Sequence, residues 1–205
     1  MKKKISLILN ILLLVLEVIG FIVLFKSGYS LQYEFYTEDS NILGLFSSLL
    51  LVICMLSKEK TPRWVHILKY MATIGLSLTL FVVIFVLIPM ADFNYQFYLF
   101  EGTMLYQHFL CPVLAIITFI FFDDLGKFNK DDVLYGLTFT IIYAVVLITL
   151  NIIGVVEGPY PFLMVRNQTI LVSVIWALCL LGFAYLLAYT LGKLYKDARK
   201  RNRRF

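Results

Sequence analysis

Charge is scarce in this chain. Asp, Glu, Lys and Arg make up 15% of its 205 residues against 61% hydrophobic side chains, and the mean hydropathy is +0.88. A water-soluble domain of this length does not carry so little charge, so that class is excluded. Histidine is rarer still. His66 and His108 are the two residues present, and they fall near the cytoplasmic end of the third predicted span and the outer end of the fourth, hence on opposite sides of a membrane. They share no metal site, which argues against a metalloenzyme, and no metal or cofactor is expected. The three cysteines, Cys54, Cys111 and Cys179, all lie inside apolar runs at no metal-binding spacing. They read as small packing residues, with no disulfide. Long connectors, low-complexity tracts and a clear internal repeat are also missing, which leaves no room for a separate soluble domain.

What is present is a series of apolar runs of roughly 20 residues, each about long enough to cross a bilayer as a helix. Six spans are predicted, at about 5–25, 37–57, 64–89, 104–122, 133–154 and 169–192, in a single domain covering 1–205. The runs lack the alternation of a lipid-facing barrel, so the fold class is all-α, a polytopic bundle. With the N-terminus inside, sixteen of the eighteen Lys and Arg residues become cytoplasmic, and Lys26 and Arg166 alone fall outside. Lys58 and Lys69 are counted among the cytoplasmic ones. Both termini are therefore expected in the cytoplasm. The start "MKKKISLILNILLLVLEVIG" resembles a signal peptide, but its length, Glu17 and the lack of a small-x-small site favour a retained first span. The tail 193–205, "KLYKDARKRNRRF", reads as a juxtamembrane basic segment touching anionic lipid headgroups, not as a nucleic-acid patch.

Polar residues at depth are the informative ones, because each costs free energy unless it faces the bundle interior. Thr37, Asn41, Gly44 and Ser48 share one face of the second span, with Leu43, Leu50 and Ile53 mostly elsewhere. That stripe fits either close packing through small residues or a site turned inward. Glu34 and Glu38 read as solvent-facing. His108, Cys111, Pro112 and Ala115 share a face of the fourth span, where Pro112 frees a carbonyl near His108. His66, beside Trp64, Arg63 and Lys69, reads as an interface residue. Glu17 is the one acid well inside a span, seven residues from Asn10 and on a face with Gly20. It orients a base, accepts a proton, pairs with a polar neighbour, or only packs. Asn151 is a weaker case of the same kind. In the last outer loop, "VVEGPYPFLMVRNQ", Tyr160 and Phe162 form either an aromatic belt or a lid over the bundle mouth.

Thr37 and His108 lie at matching depth near the outer side. A hydroxyl and an imidazole are the minimum parts of nucleophilic acyl transfer, if they touch. Three stretches, "YEFYTEDSNILGLFSSLLLVI", "GTMLYQHFLCPVLAIITF" and "GPYPFLMVRNQTILVSV", together resemble the androgen-induced and androgen-dependent membrane protein family and its prokaryotic relatives. The resemblance covers most of the chain in topology and these three patches in residues. It implies a six-span threonine hydrolase of fatty acid esters of hydroxy fatty acids, in the cell membrane of a prokaryote. Its nucleophile falls on Thr37 and its essential histidine on His108, and its substrate is a membrane lipid or lipid-like ester. Here the threonine is followed by Glu38, Asp39, Ser40 and Asn41, where the animal members are mostly apolar. Ser40 offers a competing hydroxyl, Asp39 is a candidate to orient the histidine, and Asn41 is a candidate oxyanion donor. The rival reading is a non-catalytic lipid- or small-molecule-binding bundle, or a transport component using Glu17 and Asn151; an inverted repeat or broken helix would favour transport, and neither is clear in the sequence.

Overall fold

In lipid every backbone N–H and C=O must be satisfied within the segment, so the apolar runs close into helices. A computed structural model of the chain describes residues 2–57 and 60–202; Lys58 and the last three residues of the basic tail lie outside the described residues. Among the described residues six helices are long and apolar enough to cross a membrane. They are α1 (Lys2–Lys26), α2 (Tyr36–Leu56), α3 (Arg63–Met90), α5 (Leu105–Phe122), α6 (Asp132–Ile152) and α7 (Ile170–Asn202), with a short α4 (Tyr95–Phe100) between α3 and α5. No strand occurs among the described residues. The boundaries match the predicted spans to within a few residues except at α7, which runs on as helix to Asn202 through much of the basic tail.

Two helices depart from α geometry. α3 passes through a π-turn at Val83–Leu87, and α5 is π at both ends, Leu105–Leu110 and Thr118–Phe122. Pro112 follows the first of these, in a stretch where it supplies no N–H to the carbonyl of His108. Such widened turns are frequent at functional sites.

α3 is the central helix. Its apolar window is 61% buried, against 28% for α1 and 11% for α7, so α7 shows most of its surface to the surroundings. The buried face of α1 reads Ser6, Asn10, Leu13, Glu17, Gly20 and Leu24, a three-four spacing that keeps one seam inward. On α2 the stripe Thr37, Asn41, Gly44 and Ser48 is buried, while Leu43 and Leu50 are half-buried and Ile53 is exposed. Both ends of the described chain lie at one end of the bundle, since Ser6 donates to Asp123 and Arg199 pairs with Asp124.

Two charged residues are not where the sequence pattern put them. Lys69 lies inside the bundle, fully buried, and donates to Ser48 Oγ at 2.8 Å. Glu38 is buried rather than solvent-facing, because the turn before α2 folds back and delivers the Gln32 N–H to its carboxylate at 2.7 Å. Glu34 is exposed.

Candidate active site

The site forms where the first turn of α2 meets the π-turn of α5. Helix starts leave four backbone N–H groups without intrahelical partners, and Phe35 supplies no side-chain cap here. Glu38 and Asp39 in the first turn suit the positive end of the helix dipole. The Thr37 N–H, one of the orphans, points at the Tyr160 hydroxyl at 3.5 Å.

Thr37 and His108 are brought together. The Thr37 hydroxyl oxygen lies 3.4 Å from His108 Nε2, and both residues are buried. The other ring nitrogen, Nδ1, is 2.8 Å from the carbonyl oxygen of Tyr98. A carbonyl only accepts, so Nδ1 carries the proton and Nε2 presents its lone pair to the Thr37 hydroxyl. Tyr98 belongs to α4, which sequence reasoning did not single out; any residue type supplies a carbonyl, so nothing in its identity marks it.

This geometry corrects three supporting roles. His108 is oriented by the Tyr98 carbonyl and not by Asp39, which has no side-chain hydrogen bond among the described residues. Ser40 turns away from the histidine and bonds the Thr37 carbonyl at 3.0 Å and Thr79 Oγ1 at 3.0 Å. Asn41 commits its amide N–H groups to the carbonyls of Thr37, at 2.7 Å, and Gln107, at 3.2 Å. It pins α2 to α5 and has no N–H left for an oxyanion.

Tyr160 takes the place that those residues leave. Its ring is buried, stacks on Phe162 at 5.1 Å and meets Phe35 edge-on at 5.9 Å. Burial pushes its phenol up to about 12, partly offset by hydrogen bonds from Thr37 and Tyr36, so the O–H keeps its proton at neutral pH. Asn151 holds the loop that carries it, donating to the carbonyls of Val156 at 3.0 Å and Glu157 at 2.5 Å and accepting the Arg166 N–H. That is a positioning task at the end of α6, and it leaves the residue no polar group for transport.

Beside Thr37 and Tyr160 opens a groove with a cavity volume of about 100 Å³, part of it open to the outside. Its walls come from α3, α6, α7 and the last loop, with Leu78, Val82, Tyr143 and Leu180 among them. Apart from the Thr37 end it is apolar, because Tyr36 and Thr140 satisfy each other at 2.7 Å.

Glu17 lies mid-bundle, fully buried, with its carboxylate over Gly44. His66 sits at the opposite end of the bundle from His108, against Gly126. Among the described residues no three His, Cys, Asp or Glu side chains come together in a way that would hold a metal ion. Comparison of the chain with protein-family models, with curated proteins and with solved structures finds no match.

Proposed function

We propose that this protein is a membrane-embedded hydrolase of lipid-like esters, with Thr37 as nucleophile and His108 as general base and then acid. The observation that carries the reading is the approach of Thr37 Oγ1 to His108 Nε2 at 3.4 Å, with the lone pair fixed on Nε2 by the Tyr98 carbonyl. Such contacts are often long before substrate binds and tighten in the reactive complex. The resemblance to the androgen-induced and androgen-dependent family leads to the same pair, and the apolar groove beside Thr37 suits a fatty acyl chain.

The chemistry proceeds in two halves. The Thr37 hydroxyl gives its proton to Nε2 as its oxygen attacks the ester carbonyl carbon. The charge that develops on the carbonyl oxygen is met by the Tyr160 O–H, a buried donor that need not reorganise. The tetrahedral intermediate collapses, the alkoxide leaves with the proton from Nε2, and an acyl-Thr37 remains. Water then attacks that acyl group, with His108 again taking and returning the proton. Throughout, the Tyr98 carbonyl holds the ring and bears on the imidazolium through Nδ1–H, the orienting task that a carboxylate performs in serine hydrolases.

The orientation that goes with this reading has both termini in the cytoplasm and Thr37 on the outer side. Lys2, Lys3, Lys60 and Arg199 gather about one cavity at the end that holds both described termini, which suits the positive-inside rule and contact with anionic headgroups. The cell membrane of a prokaryote is the proposed location.

The test is turnover of medium- and long-chain esters by purified wild type, Thr37→Ala, His108→Ala and Ser40→Ala. The expected result is loss of at least about a hundredfold in the first two variants and near-wild-type rates in the third. Ester hydrolysis unchanged in Thr37→Ala, or none in wild type, would return the protein to a binding or transport role.

A further inference from the structure

A cluster of buried polar side chains lies in the seam of α1, α2 and α5, reached from Thr37 through Asn41, whose amide donates to the Thr37 carbonyl. Glu17, Asn41 and Gln107 are almost completely buried, and both carboxylate oxygens of Glu17, Asn41 Oδ1 and Gln107 Nε2 have no protein partner. The side-chain orientation of Asn41 is fixed by its two amide bonds, so Oδ1 is left as an acceptor. The Glu17 carboxylate lies over Gly44, where a Cβ would come within 2.8 Å of Oε1, and Gly44 is about one turn from Asn41. Gly20, about one turn further along α1, packs against Tyr106 and Gln107. Glycine at both positions lets the three polar side chains share the seam.

An unpartnered buried polar atom costs about 1–3 kcal/mol, and such groups in native proteins are met by internal water making about three bonds. One water placed among them donates one hydrogen to Glu17 or to Asn41 Oδ1, accepts from Gln107 Nε2–H, and keeps its second hydrogen and one lone pair free. The groove beside Thr37 is the wall against which an acyl chain would lie, so a bound acyl group closes that route to solvent.

We infer that Glu17, Asn41 and Gln107 bind an internal water in this seam, and that this water is the nucleophile that hydrolyses the acyl-enzyme. The inference rests on the Thr37–His108 reading. Its oxygen bonds to the acyl carbon while a proton passes to His108 Nε2. The carbon–Oγ1 bond of Thr37 then breaks, Oγ1 recovers that proton, and the free carboxylic acid departs. Glu17, Asn41 and Gln107 position the water and do not themselves bond to substrate.

The test uses a long-chain 4-nitrophenyl ester with the full-length protein in detergent, reading the nitrophenolate burst, the steady-state rate and the intact mass. Glu17→Leu and Gln107→Leu are expected to keep a burst of about one equivalent and to lose about tenfold or more of the steady-state rate. Acyl-Thr37 then accumulates, while Glu17→Gln, which still bonds water, stays within a few-fold of wild type. Burst and steady state falling together, or neither changing, overturns the inference and leaves the Thr37 reading intact; a Thr37→Ala protein that hydrolyses at the wild-type rate overturns both. Should the leucine variants not fold, a crystal structure of the wild type decides: solvent density bonded to Glu17 or Asn41 supports the inference, and a direct Glu17–Gln107 bond with no solvent overturns it.

Discussion

At the scale of single residues, each supporting role follows from what the polar atoms are already bonded to. Asn41 and Ser40 have the right chemistry for an oxyanion donor and a nucleophile, yet their donors are spent on backbone carbonyls and on Thr79. Tyr160 is left with an O–H beside Thr37. Tyr160→Phe is therefore expected to lower kcat by about ten- to a thousandfold with little change in KM, as loss of one oxyanion donor does. The sign of its pH dependence follows from burial. The folded state holds the phenol protonated up to about 12 against an ordinary 10.0, so its contribution to stability is fully present below pH 10 and is lost as the pH rises towards 12. A denaturation series across that window should fall more steeply for wild type than for Tyr160→Phe.

The inward stripe of α2 was legible at this scale because a period of 3.6 makes a face, whatever the face is for. The Tyr98 carbonyl was not, since backbone acceptors carry no residue signature. Lys69 and Glu38 misled for a related reason. Each lies near a helix end, where a charge normally meets water, and only the packing of Ser48 and the folding back of Gln32 bring them inside.

At the scale of elements, the six spans could be read from length and apolarity, because lipid admits few alternatives to a helix. The π-turns of α3 and α5 were not legible, as they change which carbonyl each N–H meets without changing composition. Nor was the run of α7 through its basic end, since charge there says water and not coil. Two glycine substitutions separate packing from chemistry. Gly136 on α6 faces the Tyr70 ring, and a Cβ would lie 2.6 Å from Ile74 Cδ1; Gly136→Ala should cost about 1–3 kcal/mol through overpacking and leave the rate per folded molecule unchanged. Gly158 opens the loop of Tyr160 with φ +93°, and a Cβ there would meet the Leu163 carbonyl oxygen at 2.8 Å. Gly158→Ala should strain that loop by about 1 kcal/mol or more and lower kcat in the manner of Tyr160→Phe. Thermal melts beside turnover distinguish the two.

At the scale of the whole molecule, the bundle gathers polar side chains at both ends and keeps Glu17 between them. One holds Ser6, Asn10 and Asp123, with Lys69 on Ser48 above them; the other holds Thr37, His108 and Tyr160. Leu13, Leu76 and Ala115 pack as an apolar layer of the same interior. Lys69→Ala should destabilise the bundle by about 1–3 kcal/mol, because it leaves the buried Ser48 hydroxyl without the Lys69 partner. Single cysteines at Lys3 and at Gln32, tested with an impermeant thiol reagent on intact cells after Cys54, Cys111 and Cys179 are replaced by serine, should react only at position 32.

The central claim is that Thr37 is a nucleophile activated by His108. Its most direct measurement is the site of covalent modification by a fluorophosphonate probe, mapped by peptide mass spectrometry on protein in membranes. The account predicts an adduct on Thr37 Oγ1, absent from Thr37→Ala and strongly reduced in His108→Ala. An adduct on Ser40, or labelling of Thr37 that does not depend on His108, would contradict it.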